Sequence, residues 1–240
     1  MCEACGCTLK NGDRTSSDNS KVIEVQKRLL AANDFQASLN RKRIEGLGAI
    51  AINLISSPGS GKTTLLERTI EAFGGEYRIG VIEGDIETQR DAERIRAKGV
   101  PVVQLTTGGA CHLDAHIVHR GIRSLETLLK RPGLDFLFIE NVGNLVCPVA
   151  FDLGEHKRAV LLSVPEGSDK PAKYPSAFMS SQVFMITKTD LLPYFDFSLK
   201  EAEQEAKRLN PSVRIIRFSA KTKEGLEGWL NYLQKLRLSG

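Results

Sequence analysis

Apolar and polar positions fall into blocks along the chain. TLKNGDRTSSDNS, residues 8 to 20, is polar, rich in turn formers and without periodicity, which predicts a flexible tether. Residues 21 to 43 carry Val22, Val25, Leu29, Leu30 and Leu39 at helical spacing. That pattern predicts one long helix, or two short ones broken at Asn33-Asp34, packed on the outside of a sheet or against a partner. Beyond it, short apolar runs alternate with amphipathic stretches. Strands are predicted at 48–56, 77–84, 100–106, 134–141, 158–164, 182–187 and 213–219. Helices are predicted at 64–73, within 85–99, and at 113–130, 198–210 and 225–238. Strands apolar on both faces, set between amphipathic helices, predict an α/β fold: a mostly parallel sheet with helices on both faces. The chain divides into a tail (1–20), a helical extension (21–43) and an α/β domain (44–240).

Composition narrows the function classes. Of 240 residues, 41% are hydrophobic and 26% charged, as in ordinary globular proteins. The net charge of +4 is not gathered into a basic block, so no nucleic-acid partner is expected. No apolar run approaches the roughly 18 residues that span a bilayer, so no membrane partner is expected. MCEACGCTLK lacks the apolar segment of a secretory signal, so a cytoplasmic location is expected. Five cysteines, three of them at Cys2, Cys5 and Cys7, look more like metal chemistry than a disulfide framework.

The sharpest local signal is SSPGSGKTT, residues 56 to 64, between a predicted strand and a helix. Gly59 and Gly61 let backbone N–H groups turn toward phosphate oxygens, with Ser60 and Thr64 in the same loop, and the helix adds its positive end. Lys62 is expected to bridge β- and γ-phosphates, and the Thr63 hydroxyl to ligate Mg²⁺. Ser56 stands where the common pattern GxxxxGK[ST] has its first glycine. Acids at strand ends complete the magnesium and catalytic sites. Asp85, with Glu83 on the same strand, is expected to hold magnesium. Glu140 is expected to position a water near the γ-phosphate, and Gly143 to provide a hinge whose N–H senses that phosphate. For each acid the competing role is a helix cap or surface ion pair.

Base preference is read from ITKTD and SAK. Asp190 can accept two hydrogen bonds from guanine, and adenine lacks that donor pair. The Lys188 stem can lie on the base plane. Thr187 replaces the usual Asn of NKxD, and its hydroxyl can still tie this loop to the phosphate loop. Ser219, Ala220 and Lys221 follow the last strand, where the Ala220 backbone can meet guanine O6. Together these favour GTP over ATP.

A second chemistry lies in thiolates and imidazoles. Cys111 and His112 are adjacent, His116 stands four residues on, and Cys147 follows ENVGNLV. Such donors suit zinc or nickel. The shell can be completed by His116 and Cys147, or by Cys111, His112 and Cys147 of a second subunit. Buried filling is the alternative for Cys111. Cys2, Cys5 and Cys7 form a thiolate cluster suited to nickel or zinc, with a redox CxxC as competitor.

These motifs together resemble the hydrogenase nickel-incorporation GTPase family, HypB. The resemblance runs through SSPGSGKTTLL, VIEGDIETQRDAERI, CHLDA, FLFIENVGNLVCP, FDLGE, EGSDKPAKYP, TKTDLLPY and SAK-EGL, over about residues 20 to 238. It implies a P-loop NTPase fold of the signal-recognition and nitrogenase-iron-protein type. It also implies GTP hydrolysis to GDP, Mg²⁺, and a homodimer formed with GTP. Nickel and zinc, a small zinc-containing nickel chaperone (HypA) and the hydrogenase large subunit are further implied. The family's interfacial metal ligands fall on Cys111, His112 and Cys147, with His116 matching a further ligand in some members. Its tail ligands fall on Cys2, Cys5 and Cys7, its GTPase residues on Lys62, Thr63, Asp85, Glu140, Lys188 and Asp190. Lys170 and Lys173 lie in the segment that resembles its dimer-interface region. Three alternatives stand beside this reading: a urease-type accessory GTPase, whose motif is Cys-Pro-His; a GTP-switched interaction protein with incidental cysteines; and an ATP-using kinase, against which Asp190 argues.

Overall fold

The computed structural model describes residues 16–85 and 90–239. The tail thiols Cys2, Cys5 and Cys7 lie outside the described residues. Seven strands form one sheet, β1 (Ile50–Ser56), β2 (Ile79–Asp85), β3 (Val102–Thr106), β4 (Phe136–Glu140), β5 (Lys157–Ser163), β6 (Val183–Thr187) and β7 (Arg214–Phe218). The order across the sheet is β3-β2-β4-β1-β5-β6-β7, and every pairing is parallel. The predicted strands all form, because runs such as IAINLIS and FLFIE are buried on both faces.

The helices are α1 (Ser16–Gly46), α2 (Lys62–Phe73), α3 (Arg90–Arg96), α4 (Ala115–Leu128), α5 (Lys170–Lys173), α6 (Pro175–Met179), α7 (Leu199–Leu209) and α8 (Leu226–Ser239). One face of the sheet carries α2, α3 and α8, through Leu66, Ile95 and Trp229. The other carries α1 and α4 over one half and α6 and α7 over the other. The seven carboxyl strand ends thus share one edge, and the site is built there. The short helices α5 and α6 have no counterpart in the periodicity reading.

Two expectations about the N-terminal segment change. Residues 16–20, read as part of a tether, are already helical, since Ser and Asp suit a first helical turn. Asn33-Asp34 is no break. The Asn33 amide donates to Asp152 O (2.8 Å) and accepts from Ala115 N (2.9 Å), so it does not compete for its own backbone. Among the described side chains of α1, the buried ones are Asn33, Ala37, Asn40 and Ile44, at helical spacing. Val25 and Leu29 are 56% and 59% exposed instead. Asn40 donates to Ala115 O (2.8 Å) and Leu153 O (3.0 Å), and Arg41 pairs with Asp152 (2.9 Å). A polar seam therefore holds this helix, which hydrophobic periodicity cannot register.

Candidate functional site

The loop after β1 closes on α2 at Gly61, whose φ of 96° is left-handed and admits few residues other than glycine. Lys62 and Thr63 open α2 and are both buried. Lys62 Nζ donates to Ser56 Oγ at 3.0 Å. The serine in the first-glycine position thus accepts a hydrogen bond from the loop's cation. Thr63 Oγ1 donates to Glu140 Oε1 at 2.8 Å.

Glu83 and Glu140 are register partners on β2 and β4, so their carboxylates stand side by side at the sheet edge. Both are buried, and one oxygen of each, Oε2, has no hydrogen-bond partner. Burial pushes Glu83 up to about 8, with Glu140 and Asp85 adding repulsion. Burial likewise raises Glu140 to about 7, against the pull of Lys62 and Thr63. The orphaned Glu83 oxygen and the nearby Thr63 hydroxyl are donors that fit a hard divalent cation such as Mg²⁺, which leaves the orphaned Glu140 oxygen for a water. Asp85 ends β2 beside them.

Gly143 explains itself by contact. A Cβ there would lie 2.8 Å from both Cα and N of Pro58, so the chain after β4 packs directly on the phosphate loop. The same segment reaches the thiol cluster. Asn141 Oδ1 accepts from Leu113 N (3.2 Å), next to His112, and Asn144 Nδ2 donates to Cys111 O (3.4 Å). Cys147 opens a short turn, Cys147–Ala150. Arg158 grips that turn at Val149 O and Phe151 O (both 3.1 Å) while paired with buried Glu155 (2.6 Å).

One donor atom each from Cys111, His112 and Cys147 lies within 4.8 Å of the others. His112 stacks on Phe151 with ring centroids 4.1 Å apart, and burial lowers its pKa, favouring the neutral imidazole that metals bind. His116 is exposed and stands outside this group. The helical-spacing argument for it fails because α4 begins at Ala115, with Asp114 as its cap, so His112 precedes the helix.

On the other flank, Thr187 Oγ1 donates to Ser60 O at 2.7 Å, tying the base loop to the phosphate loop as expected. Ser219 Oγ donates to Asp190 at 2.6 Å and accepts from Lys221 N. A cavity of about 230 Å³ is lined by Ser60, Gly61, Thr64, Thr187, Lys188, Asp190, Ala220 and Lys221, among others, so phosphate and base motifs meet around one space. The sequence reading missed Glu166, which accepts from Ser60, and Asn141, Phe151 and Arg158, which support the cluster. Only Glu166 carries a readable signal, the capping box Ser163-x-x-Glu166.

Residues 50–217 match the family model described as CobW/HypB/UreG, nucleotide-binding domain. A hydrogenase maturation factor HypB from Azotobacter chroococcum mcd 1 is 50% identical over 220 residues, 91% of this chain and 70% of that protein. The crystal structure of HypB from Helicobacter pylori in complex with nickel superposes with a TM-score of 0.83 at 40% identity. That match covers 87% of this chain and 96% of the other. The signal recognition particle 54 kDa protein of Aeropyrum pernix K1, in complex with GDP, shares the fold. Its TM-score is 0.52 at 16% identity, over 80% of this chain and 49% of that one. No helix among the described residues is long and apolar enough to cross a membrane. With its phosphate loop at the carboxyl edge of a parallel sheet, the chain belongs to the HypB family of hydrogenase maturation factors, GTP-binding nucleotide hydrolases of the α/β P-loop fold.

Proposed function

We propose that the protein is a GTP-hydrolysing nickel metallochaperone that delivers nickel during maturation of [NiFe] hydrogenase. In this reading nucleotide state is coupled to the cluster of Cys111, His112 and Cys147. The supporting observation is the segment 141–147: Gly143 packs on Pro58, and Asn141 and Asn144 on either side of it bond to the backbone at Leu113 and Cys111. A phosphate loop that shifts on binding the γ-phosphate pushes on Gly143 and moves Cys147.

Lys62 leaves Ser56 for the phosphates, and Asp190 with the backbone at Ala220 reads guanine. Thr63, Asp85 and Glu83 would hold Mg²⁺, which neutralises phosphate charge when bound. Glu140, with Oε2 unpartnered, orients the attacking water and accepts its proton. Three protein donors leave a four-coordinate shell incomplete. A second copy completes it, which links GTP-dependent dimerisation to capture of nickel, or of zinc, as cargo. Release on hydrolysis passes nickel to its acceptors, the small zinc-containing chaperone and the hydrogenase large subunit. Cys2, Cys5 and Cys7 supply a separate collecting site.

The test is nickel affinity, read by competition with a chromophoric chelator, in the presence of GDP or a non-hydrolysable GTP analogue. The affinity changes with nucleotide in the wild type and not in Cys147→Ser. A nickel affinity indifferent to nucleotide in the wild type contradicts the proposal.

A further inference from the structure

Ser60, in the middle of the phosphate loop and fully buried, is held at both ends. Its carbonyl accepts from Thr187 Oγ1 at 2.7 Å, and its hydroxyl, with one proton to donate, lies 2.6 Å from Glu166 Oε1 and 2.9 Å from Ser57 O. The two holders come from neighbouring strands. Thr187 ends β6 opposite Ser163 of β5, and Glu166 lies three residues beyond Ser163. The same Oε1 also accepts from Ser163 N (2.9 Å) and Ser163 Oγ (2.7 Å). These three donors converge on Oε1, and the Ser57 side chain of the loop also bears on the carboxylate.

A cap alone does not call for this. The capping box is already complete with Ser163 N donating to the Glu166 carboxylate and Ser163 Oγ accepting from the Glu166 backbone N–H. Burial by itself would raise the Glu166 carboxyl, but hydrogen bonds from Ser57, Ser60 and Ser163 outweigh it and hold the group below its ordinary value. Glu166 is therefore an anion set against a loop whose ligand is anionic. Its charge opposes phosphate binding, so the contact is favourable to the site only through the geometry it imposes on Ser60.

We propose that Glu166 is a positioning residue of the nucleotide site. It fixes Ser60, and with it the direction of the loop's N–H groups, from the segment 164–174, and so makes that segment responsive to the loop's occupancy. The proposal rests on the reading of residues 56–64 as the phosphate loop.

The test measures GDP affinity in the full chain for the wild type, Lys62→Ala, Ser60→Ala, Glu166→Ala, Glu166→Gln and the double variant of Ser60→Ala with Glu166→Ala. Loss of a buried charged hydrogen bond predicts about tenfold or more weaker binding in Glu166→Ala. Glu166→Gln, which keeps shape and cap and removes the opposing charge, binds GDP more tightly than Glu166→Ala. The double variant is less impaired than the two single losses combined, because each single variant already removes the Ser60–Glu166 contact. By hydrogen exchange, saturating GDP protects residues 164–174 in the wild type and not in Ser60→Ala, an effect that a merely structural cap would not produce. Wild-type GDP affinity in both Glu166 variants, with binding lost in Lys62→Ala, overturns the positioning role and leaves the phosphate loop standing. Equal protection of 164–174 in Ser60→Ala overturns it as well. Undiminished binding in Lys62→Ala removes the reading beneath it.

Discussion

Gly143→Ala adds one methyl at the point where the segment after β4 meets the phosphate loop. Gly143 does not have a positive φ, so the substitution carries no backbone penalty of its own. Its effect is steric. The new Cβ would sit 2.8 Å from Pro58 Cα, 2.8 Å from Pro58 N and 2.9 Å from Pro58 Cγ. Two of these atoms are backbone, so the strain cannot be relieved by turning a side chain. Either the phosphate loop or the 141–147 segment moves. Overpacking of this kind costs about 1 to 3 kcal/mol. If the cost falls on the nucleotide-competent loop, GDP affinity drops by about 5- to 150-fold. Titration of a fluorescent GDP analogue measures it, with a melting curve of the ligand-free protein to separate global destabilisation from local effect. Gly143→Ala with wild-type GDP affinity and wild-type melting would refute the contact as a constraint, and with it the route from loop to Cys147.

Three further outcomes follow from named groups. Glu83 and Glu140 are raised from an ordinary 4.5 to about 8 and about 7, so between those values the folded state holds more protons than the unfolded one. Metal-free protein therefore melts at lower temperature as pH rises from about 5 to about 8, and Glu83→Gln flattens the profile; a wild-type profile already flat contradicts the assignment. Asp190→Asn, which keeps the shape but loses an acceptor, lowers GDP affinity about tenfold or more and leaves ADP affinity unchanged. Equal losses for both nucleotides would show that Asp190 does not read the base. Asn40→Leu strands the carbonyls of Ala115 and Leu153 and lowers unfolding free energy by about 1 to 3 kcal/mol in urea titration, whereas an unchanged midpoint argues against the polar seam.

Much of the fold was legible because its strands are apolar throughout and its helices amphipathic. The phosphate loop was legible for a different reason: Gly61 answers a fixed backbone demand just before a helix that opens with Lys62 and Thr63. What was not legible is polar and long-range. Asn33 and Asn40 dock α1 through backbone groups over 70 residues distant in sequence, and nothing in helical periodicity marks an asparagine as a seam. His116 looked like a partner of His112 because spacing presumes a helix, and the helix begins after His112. The link from Gly143 to Pro58 required knowing that β4 lies next to β1, which is a property of the sheet order and not of either segment.

The central claim, that nucleotide state and the cluster of Cys111, His112 and Cys147 are coupled through assembly of two copies, is tested most directly by native mass spectrometry. Metal-free protein would receive substoichiometric nickel with GDP or with a non-hydrolysable GTP analogue, and metals would be counted per monomer and per dimer. The account predicts that the analogue raises the dimer population and adds a nickel seen only in dimers, lost in Cys147→Ser. Nickel bound to monomers alone, in amounts indifferent to nucleotide, would contradict it.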